Sequence, residues 1–299
     1  MAAPRTTFEA YCPEHEFLVA IDSDGCVFDT MELKHKECFI PNIINEWDLQ
    51  AISRFAREVS EFVNLYSKWR GINRFPALVL TFDLLRQRRE VQKRGAQVPE
   101  VPNLRAWIER ETKLGNPALE RAVRETGHSD LERALRWSRA VNETVARFVR
   151  GVPPFPFVRQ SLERLAEVAD IIVVSGTPTE ALLREWNEHG IACFPKVIAG
   201  QEAGSKAEML GAVRQHYGPG RALMIGDAPG DQKAAAANDV AFYPIVPGEE
   251  DDSWQRFFEE ALTRFLEGAY GGAYESELVE AFHRRLPESP PWLESEPVA

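Results

Sequence analysis

The sequence predicts an α/β fold, a Rossmann-like parallel sheet with an all-helical domain inserted after its first strand. Short apolar runs without polar alternation, beginning with Phe17–Ile21, are typical of strands buried on both faces of a parallel sheet. From residue 152 onwards such runs alternate with helical patterns, as right-handed crossovers in one parallel sheet require. Residues 31–151 show helical periodicity throughout.

Composition is that of a globular, soluble protein. The chain has 299 residues, enough for two domains, with 44% hydrophobic and 27% charged residues. No run approaches the ~18 apolar residues of a membrane span, and residues 1–16 lack a secretory apolar core. The four cysteines lack the short spacings of a zinc site or a disulfide framework, so we expect a cytoplasmic protein. They are Cys12, Cys26, Cys38 and Cys193.

The net charge of −11 argues against general nucleic-acid binding. Residues 31–150 are net basic, however, and the remainder is strongly acidic. The basic segment could attract an anionic substrate or dock on the acidic part of the chain. The sequence favours neither alternative.

Within the inserted domain, apolar spacing predicts a helix over 51–69, with Asp48 as its N-cap. A second helix is expected to begin at Pro76, and a long one over 129–149 to begin with a capping box of Ser129 and Glu132. Two shorter helices are expected over 104–111 and 117–125.

Beyond the inserted domain, strands and helices alternate, and we expect two helices and a frayed, proline-rich tail at the end. The predicted strands cover 171–174, 196–199, 222–225 and 240–245. The predicted helices cover 157–169, 179–189, 206–217, 232–237, 254–266 and 275–286. The domains expected are an α/β core of 1–30 and 152–246, a helical domain of 31–151 and a C-terminal extension of 247–299.

Polar residues follow three of the predicted strands at the point where each ends. They are Asp22, Asp24 and Gly25 after the first, Ser175-Gly176-Thr177 after the second, and Gly226-Asp227 with Gly230-Asp231 after a third. The carboxyl ends of parallel strands share one edge, where ligands of open α/β sheets bind. The sequence therefore predicts a crevice that gathers four carboxylates and two hydroxyls.

This set of groups indicates metal and phosphate chemistry. Clustered carboxylates are costly unless a cation neutralises them, and hard oxygen ligands suit Mg²⁺. Ser175 and Thr177, with nearby backbone N–H groups before a helix, suit a phosphate, and Lys206 could add a positive charge. The alternatives are an ordinary acidic turn, a solvated Lys206, and Asp231 as the N-cap of the following helix.

The motifs resemble those of the haloacid dehalogenase superfamily, in its phosphatase branch. Asp22-Ser-Asp24-Gly25, Ser175-Gly-Thr, Lys206 and Gly226-Asp227-x-x-x-Asp231 occur in that family's order. The resemblance covers about 17–30 and 152–246. The helical domain occupies the place of the first-type cap of phosphoglycolate phosphatase and β-phosphoglucomutase-like members.

The resemblance implies a role for each matching residue. Asp22 would be the nucleophile that forms an aspartyl-phosphate, and Asp24 the general acid and base. Asp22, Asp24 through its carbonyl, Asp227 and Asp231 would hold Mg²⁺. Ser175, Gly176 and Thr177 would bind the phosphoryl group, with Lys206 neutralising its charge. An aspartate at position 24 favours a phosphate ester over a haloacid or phosphonate.

The substrate is expected to be a small phosphorylated metabolite. Arg70 and Arg74 lie in a basic loop of the cap, where they could bind a second polar part of the substrate or be solvated. Phosphomutase or phosphotransferase chemistry, and a non-catalytic binding role, are the alternatives to phosphatase activity. We expect no nucleic-acid or membrane partner, and either a monomer or a homodimer.

Overall fold

The computed structural model of the chain describes residues 6–9 and 11–294. It divides into two compact units. The α/β unit comprises the residues up to Met31 together with Arg150–Leu286, and the helical unit comprises Glu32–Val149 and the segment that begins at Pro287. Each helix in the described ranges is too short or too polar to cross a lipid bilayer.

The α/β unit contains one five-stranded sheet in which every pairing is parallel. The strands are β1 Phe17–Ile21, β2 Ala169–Val174, β3 Val197–Ala199, β4 Ala222–Gly226 and β5 Ala241–Pro244. Their order in the sheet is β3-β2-β1-β4-β5, so the first strand lies in the centre. The α/β class predicted from the sequence is confirmed.

Strand β1 is buried along its whole length, which explains its unbroken apolar sequence. Val19 and Ile21 belong to the core on one face of the sheet, and Leu18 and Ala20 to the core on the other. Because successive side chains point to opposite faces, a strand covered on both sides cannot alternate with polar residues. Each face is then covered by helices of the same unit.

The helices of the α/β unit cover both faces of the sheet. On one face, Trp186 and Leu262 join the core of Val19. On the other face, Met209 and Phe282 belong to the same hydrophobic core as Leu18. The helical segments are Val158–Leu165, Thr179–Glu188, a 3₁₀ turn Gln201–Ala203, Lys206–Arg214, Pro229–Ala237, Glu250–Arg256, a π-helical stretch Phe257–Ala261, Leu262–Leu266 and Ala273–Arg285. The two C-terminal helices thus pack in this unit.

The helical unit surrounds a core of edge-to-face aromatic rings. Trp47 packs on Phe82 and Trp137, and Phe75 packs on Trp107. The first helical segment lies at the connection with the α/β unit, and the last lies in the C-terminal segment. They are Thr30–Leu33, a π-helical stretch Lys34–Phe39, Ile40–Glu46, a 3₁₀ turn Gln50–Ile52, Ser53–Asn64, Arg74–Gln87, Arg89–Lys93, Pro102–Arg110, Asn116–Thr126, Ser129–Phe148 and Pro291–Glu294.

The helix predicted over 51–69 is shorter, because the chain turns after Asn64. The guanidinium of Arg70 donates to the carbonyl of Leu65 at 2.9 Å, and Gly71 has a φ of 78°. Asp48 does not cap this helix, since it lies in a turn with a φ of 53°. The next helix begins two residues before Pro76, where the side chain of Asn73 accepts from a backbone N–H.

The capping box predicted at Ser129 and Glu132 does not form. Ser129 is itself the first helical residue, and no side chain caps this helix. The neighbouring Asp130 instead accepts hydrogen bonds from the backbone N–H groups of Asn103 and Leu104, at 2.9 and 3.2 Å. Its carboxylate therefore caps the helix Pro102–Arg110, where negative charge is favourable.

A buried carboxylate ties the N-terminal segment to the amino ends of the strands. Asp170, in β2, accepts from the backbone N–H of Glu14 at 2.9 Å, from the Tyr217 hydroxyl at 2.6 Å and from Lys196 at 2.9 Å. Although burial opposes it, the hydrogen bonds from Tyr217 and Lys196 lower the pKa of Asp170. Lys196 therefore has a structural role.

The tail predicted to fray packs on the helical unit over its described part. The indole of Trp292 contacts the Phe62 ring edge to face, with 5.4 Å between centroids, and Arg88 lies 4.6 Å from its centre. The backbone N–H of Lys68 donates to the carbonyl of Pro287. An aromatic anchor and a buried cation thus stabilise an otherwise acidic, proline-rich segment. Residues 295–299 lie outside the described residues.

We expect Trp292→Ala to lower the free energy of unfolding by about 1–3 kcal/mol, because it removes both the aromatic and the cation–π contact. Urea denaturation of the full chain measures the change. Leu293→Ala is the matched control, since Leu293 is 42% exposed. Equal, small effects of the two substitutions would show that the tail is frayed, as the sequence suggested.

Candidate active site

The register of the sheet brings the polar strand ends to one level. Ile21 pairs with Val173 of β2 and with Ile225 of β4. The residues that follow these three strands therefore leave the sheet side by side, and the backbone N–H of Asp22 still donates to Ile225. The predicted edge is also where strand order reverses between β1 and β4, a common ligand site in such sheets.

After Asp22 the chain turns around the carbonyl of Ser23. That oxygen accepts from the backbone N–H groups of Cys26, Val27 and Phe28, at 2.8 to 3.3 Å. Gly25 has a φ of 74°, which a residue with a side chain rarely adopts. This compact loop sends the carboxylates of Asp22 and Asp24 to different partners.

Two buried tryptophans fix the loop from behind. The indole N–H of Trp186 donates to the Ser23 hydroxyl at 3.0 Å, and that of Trp254 donates to the Cys26 carbonyl at 2.7 Å. Both rings are fully buried, so these contacts are shielded from water. Sequence reasoning missed both residues, and no local pattern signals their role.

Cys26 packs in this loop rather than serving chemistry. Its thiol is buried and lies 3.7 Å from the carbonyl of Ile225. Burial, reinforced by the charges of Asp227 and Asp22, raises the pKa of Cys26 well above its usual value. A thiol in these surroundings stays protonated and is a poor nucleophile.

Lys206 reaches the acidic cluster because a capping box sets the start of its helix. The Ser205 hydroxyl accepts from the backbone N–H of Glu208 at 3.2 Å, and the Glu208 carboxylate accepts from that of Ser205 at 2.7 Å. Lys206 is then the first helical residue. Its ammonium lies 2.8 Å from Asp22 Oδ2 and 2.5 Å from Asp231 Oδ1.

These charges perturb one another strongly. Burial alone would lower the pKa of Lys206, but Asp22 and Asp231 raise it above its usual value. Burial and the charge of Asp22 outweigh the attraction of Lys206 at Asp231, and raise the pKa of that carboxyl to about 6. The two carboxylates thus stabilise the charge of the lysine, which does not fully offset its acidic neighbours.

Asp231 is held over the end of β4 by backbone contacts. Its Oδ2 accepts from the N–H of Ala228 at 3.1 Å, so it lies within the first turn of Pro229–Ala237 and is not its N-cap. Its side chain passes so close to Gly226 that a Cβ there would lie 2.4 Å from the Cβ of Asp231. Glycine at position 226 makes this approach possible.

Three of the four predicted metal ligands form a cluster. Carboxylate oxygens of Asp22, Asp227 and Asp231 lie within 4.8 Å of one another, and all three residues are buried. Among the described residues, Asp22 Oδ1 is buried without a hydrogen-bond partner. Three carboxylates against one lysine leave excess negative charge in a buried place, which a hard divalent cation such as Mg²⁺ fits.

Asp24 points to hydroxyl groups instead. Its Oδ1 accepts from the hydroxyl of Thr30, and its Oδ2 accepts from the hydroxyl of Thr177 at 2.5 Å. The sequence placed Thr177 on a phosphoryl group and gave Thr30 no part. In this structure Thr177 joins the strand-end loops of β1 and β2.

The serine and glycine of the second motif lie at the end of β2. The backbone N–H of Ser175 donates to Ala199, and its hydroxyl accepts from the N–H of Thr177 at 3.2 Å. A Cβ on Gly176 would meet no atom within 4 Å. The loop thus faces open space, and phosphoryl binding by Ser175, Gly176 and Thr177 stays a prediction.

Arg70 and Arg74 belong to the helical unit and have partners there. Arg70 is buried and bonds to Leu65, and Arg74 donates to the Ser138 hydroxyl at 2.9 Å and to Asn142 at 2.8 Å. Burial lowers the pKa of Arg74 to about 10. These contacts argue against a merely solvated turn, while substrate contact by either residue stays a prediction.

Neither a family model nor a curated protein matches the sequence. Solved structures do resemble it. A putative phosphoglycolate phosphatase from Lactobacillus delbrueckii subsp. bulgaricus is 16% identical with a TM-score of 0.47, over 90% of this chain and 98% of its own. A putative β-phosphoglucomutase from Thermotoga maritima is 16% identical with a TM-score of 0.39, over 90% and 100%.

A haloacid dehalogenase superfamily hydrolase from Geobacter sulfurreducens is 18% identical with a TM-score of 0.37, over 77% of this chain and 88% of its own. The name of this superfamily is the one that the motif resemblance indicated. Identities and TM-scores this low carry no argument about activity. What the chain does must therefore be argued from its own site.

We expect Gly226→Ala to lower the free energy of unfolding by about 1–3 kcal/mol, because the new methyl group overlaps Asp231. Gly230→Ala is the matched control: its methyl group meets no atom within 4 Å, and alanine favours a helix by about 0.5–1 kcal/mol. Urea denaturation compares the two variants. A Gly226→Ala protein as stable as the control would contradict the close approach of Asp231.

Proposed function

We propose that the chain is a Mg²⁺-dependent phosphatase of the haloacid dehalogenase superfamily. Its substrate would be a small phosphorylated metabolite, hydrolysed through an aspartyl-phosphate. The motif order, the parallel sheet and the cluster at its edge support this assignment. The helical unit, inserted after β1, would serve as the cap that excludes bulk water.

The observation that carries the proposal is the environment of Asp22. One oxygen is anchored 2.8 Å from the Lys206 ammonium, while the other is buried without a hydrogen-bond partner among the described residues. A carboxylate held this way has a fixed direction, but one of its oxygens has no hydrogen-bond partner in the part of the chain that the structure describes. It suits a nucleophile that must meet both a metal and a phosphorus atom.

Mg²⁺ would be held by carboxylate oxygens of Asp22 and Asp227, with Asp231 supporting the site and the carbonyl of Asp24 as the further expected ligand. When bound, it would offset the repulsion between the carboxylate and the phosphoryl oxygens. Lys206 would contribute to the same charge balance from the protein side. Ser175 and the N–H of Gly176 would bind phosphoryl oxygens.

In the first step, Asp22 would attack phosphorus while Asp24 gives a proton to the departing alkoxide. The P–O bond to the substrate breaks as the bond to Asp22 forms. In the second step, Asp24 would take a proton from water, which attacks the phosphoryl group and regenerates Asp22. Phosphate and the alcohol are the products.

We expect the purified protein with Mg²⁺ to release phosphate from at least one compound in a panel of phosphorylated metabolites. Asp22→Asn should lower this rate by about 10³-fold or more, because an amide is a poor nucleophile. Chelation should abolish the release, and added Mg²⁺ should restore it. Phosphate is measured colorimetrically, with a heat-denatured sample as the blank.

Thermal unfolding with and without Mg²⁺ tests the metal site separately from turnover. We expect Mg²⁺ to raise the Tm of the wild type and to have a smaller effect on Asp227→Asn, which lacks a ligand. Isomer formation without phosphate release would assign the protein to the phosphomutases. Mg²⁺ binding without any turnover would instead favour a binding role and contradict the proposed enzyme.

Arg70 and Arg74 remain candidates for contact with the second polar part of the substrate. If either makes this contact, its substitution by alanine should raise the KM for the best substrate by about 10-fold or more with a smaller change in kcat. Circular dichroism must confirm folding, since Arg74 also holds Ser138 and Asn142. An unchanged KM in both variants would exclude this role.

A further inference from the structure

We propose that Thr177 is a positioning residue that orients Asp24 for proton transfer, rather than a ligand of the phosphoryl group. This inference rests on the proposed function and concerns a residue in the loop after β2. It gives the third residue of the Ser175-Gly176-Thr177 motif a role different from the first two.

The geometry points to this role through one contact. The hydroxyl of Thr177 donates to Asp24 Oδ2 at 2.5 Å, across two loops that are 153 residues apart in the sequence. The other oxygen, Oδ1, accepts from the hydroxyl of Thr30. A carboxylate contacted at both oxygens has a defined orientation, because rotation about its terminal torsion would break both hydrogen bonds.

Hydrogen bonds hold the backbone of Thr177 in the loop after β2, so its hydroxyl has a defined position relative to Asp24. Its backbone N–H donates to the Ser175 hydroxyl, and its carbonyl accepts from the N–H of Gln201 at 3.1 Å. Thr179, the first residue of the helix that follows the loop, donates to the Glu202 carboxylate through both its N–H and its hydroxyl. The Thr177 hydroxyl that donates to Asp24 thus belongs to a turn that is fixed by hydrogen bonds.

A hydroxyl also suits a partner that gains and loses a proton. It donates to the ionised carboxylate, and after rotation it accepts from the protonated acid. The contact between Thr177 and Asp24 can therefore persist in both steps. In the first, the proton on Asp24 moves to the alkoxide oxygen as the P–O bond breaks, and in the second, a proton from water returns to Asp24.

Leaving-group dependence separates this role from phosphoryl binding. An alkyl phosphate needs a proton on its departing oxygen, whereas p-nitrophenolate leaves as a stable anion. The ratio kcat/KM reports the steps up to leaving-group departure, while kcat also includes hydrolysis of the intermediate, in which Asp24 is the base. The test compares p-nitrophenyl phosphate with the alkyl phosphate that the wild type hydrolyses fastest.

We expect Thr177→Val to lower kcat/KM for the alkyl ester by about 10-fold or more, and for p-nitrophenyl phosphate by less than about 3-fold. The kcat should fall for both esters. Thr177→Ser, which keeps the hydroxyl, should restore kcat/KM to within about 3-fold of the wild type. Thr126→Val, a hydroxyl deletion at an exposed threonine of the helical unit that bonds to the carbonyl of Ala122, should leave the ratio of the two kcat/KM values unchanged.

Equal losses of kcat/KM for the two esters would overturn the inference and assign Thr177 to the phosphoryl group. If Thr177→Val leaves kcat/KM for the alkyl ester unchanged, or if Thr177→Ser does not recover it, the inference is overturned as well. Failure of the wild type to hydrolyse either ester would overturn the proposed function itself. The wild-type measurement thus distinguishes the two failures.

Discussion

The site depends on one ammonium group held between two carboxylates. Asp22, Asp227 and Asp231 lie at one sheet edge with little water, where like charges repel strongly. Lys206 bridges Asp22 and Asp231, so it both reduces that repulsion and fixes the direction of Asp22. Because it supplies only one positive charge, the three carboxylates retain excess negative charge that a divalent cation could neutralise.

Strand register and close packing, rather than flexible loops, hold these charged side chains together. Central strand β1 is paired on both sides, so Asp22 leaves the sheet at a fixed height. Glycine at 226 admits Asp231, and Trp186 and Trp254 hold the loop that follows Asp22. The surrounding backbone therefore fixes the positions of the three carboxylates.

Sequence patterns predicted the strands and the polar strand ends, because burial on both faces leaves a clear apolar signature. The same patterns predicted the first residues of helices less well. Ser-x-x-Glu occurs at both 129 and 205, but only Ser205 and Glu208 form the capping box, since tertiary contacts redirect the first turn at 129. The contacts of Trp186, Thr177 and Trp292 join distant segments, and nothing local in the sequence encodes them.

The different roles proposed for Asp22 and Asp24 follow from their surroundings rather than from their identity. Two residues apart, they are separated by a turn that sends one towards a lysine and two other carboxylates and the other towards two hydroxyls. Asp22 keeps one oxygen against Lys206 and the other, Oδ1, without a hydrogen-bond partner among the described residues, so Oδ1 is open to the metal and the phosphorus atom of the proposed reaction. Hydroxyls can donate or accept, so they tolerate either protonation state of their partner. One short loop thus places two chemically identical groups where nucleophilic attack and proton transfer would each be favoured.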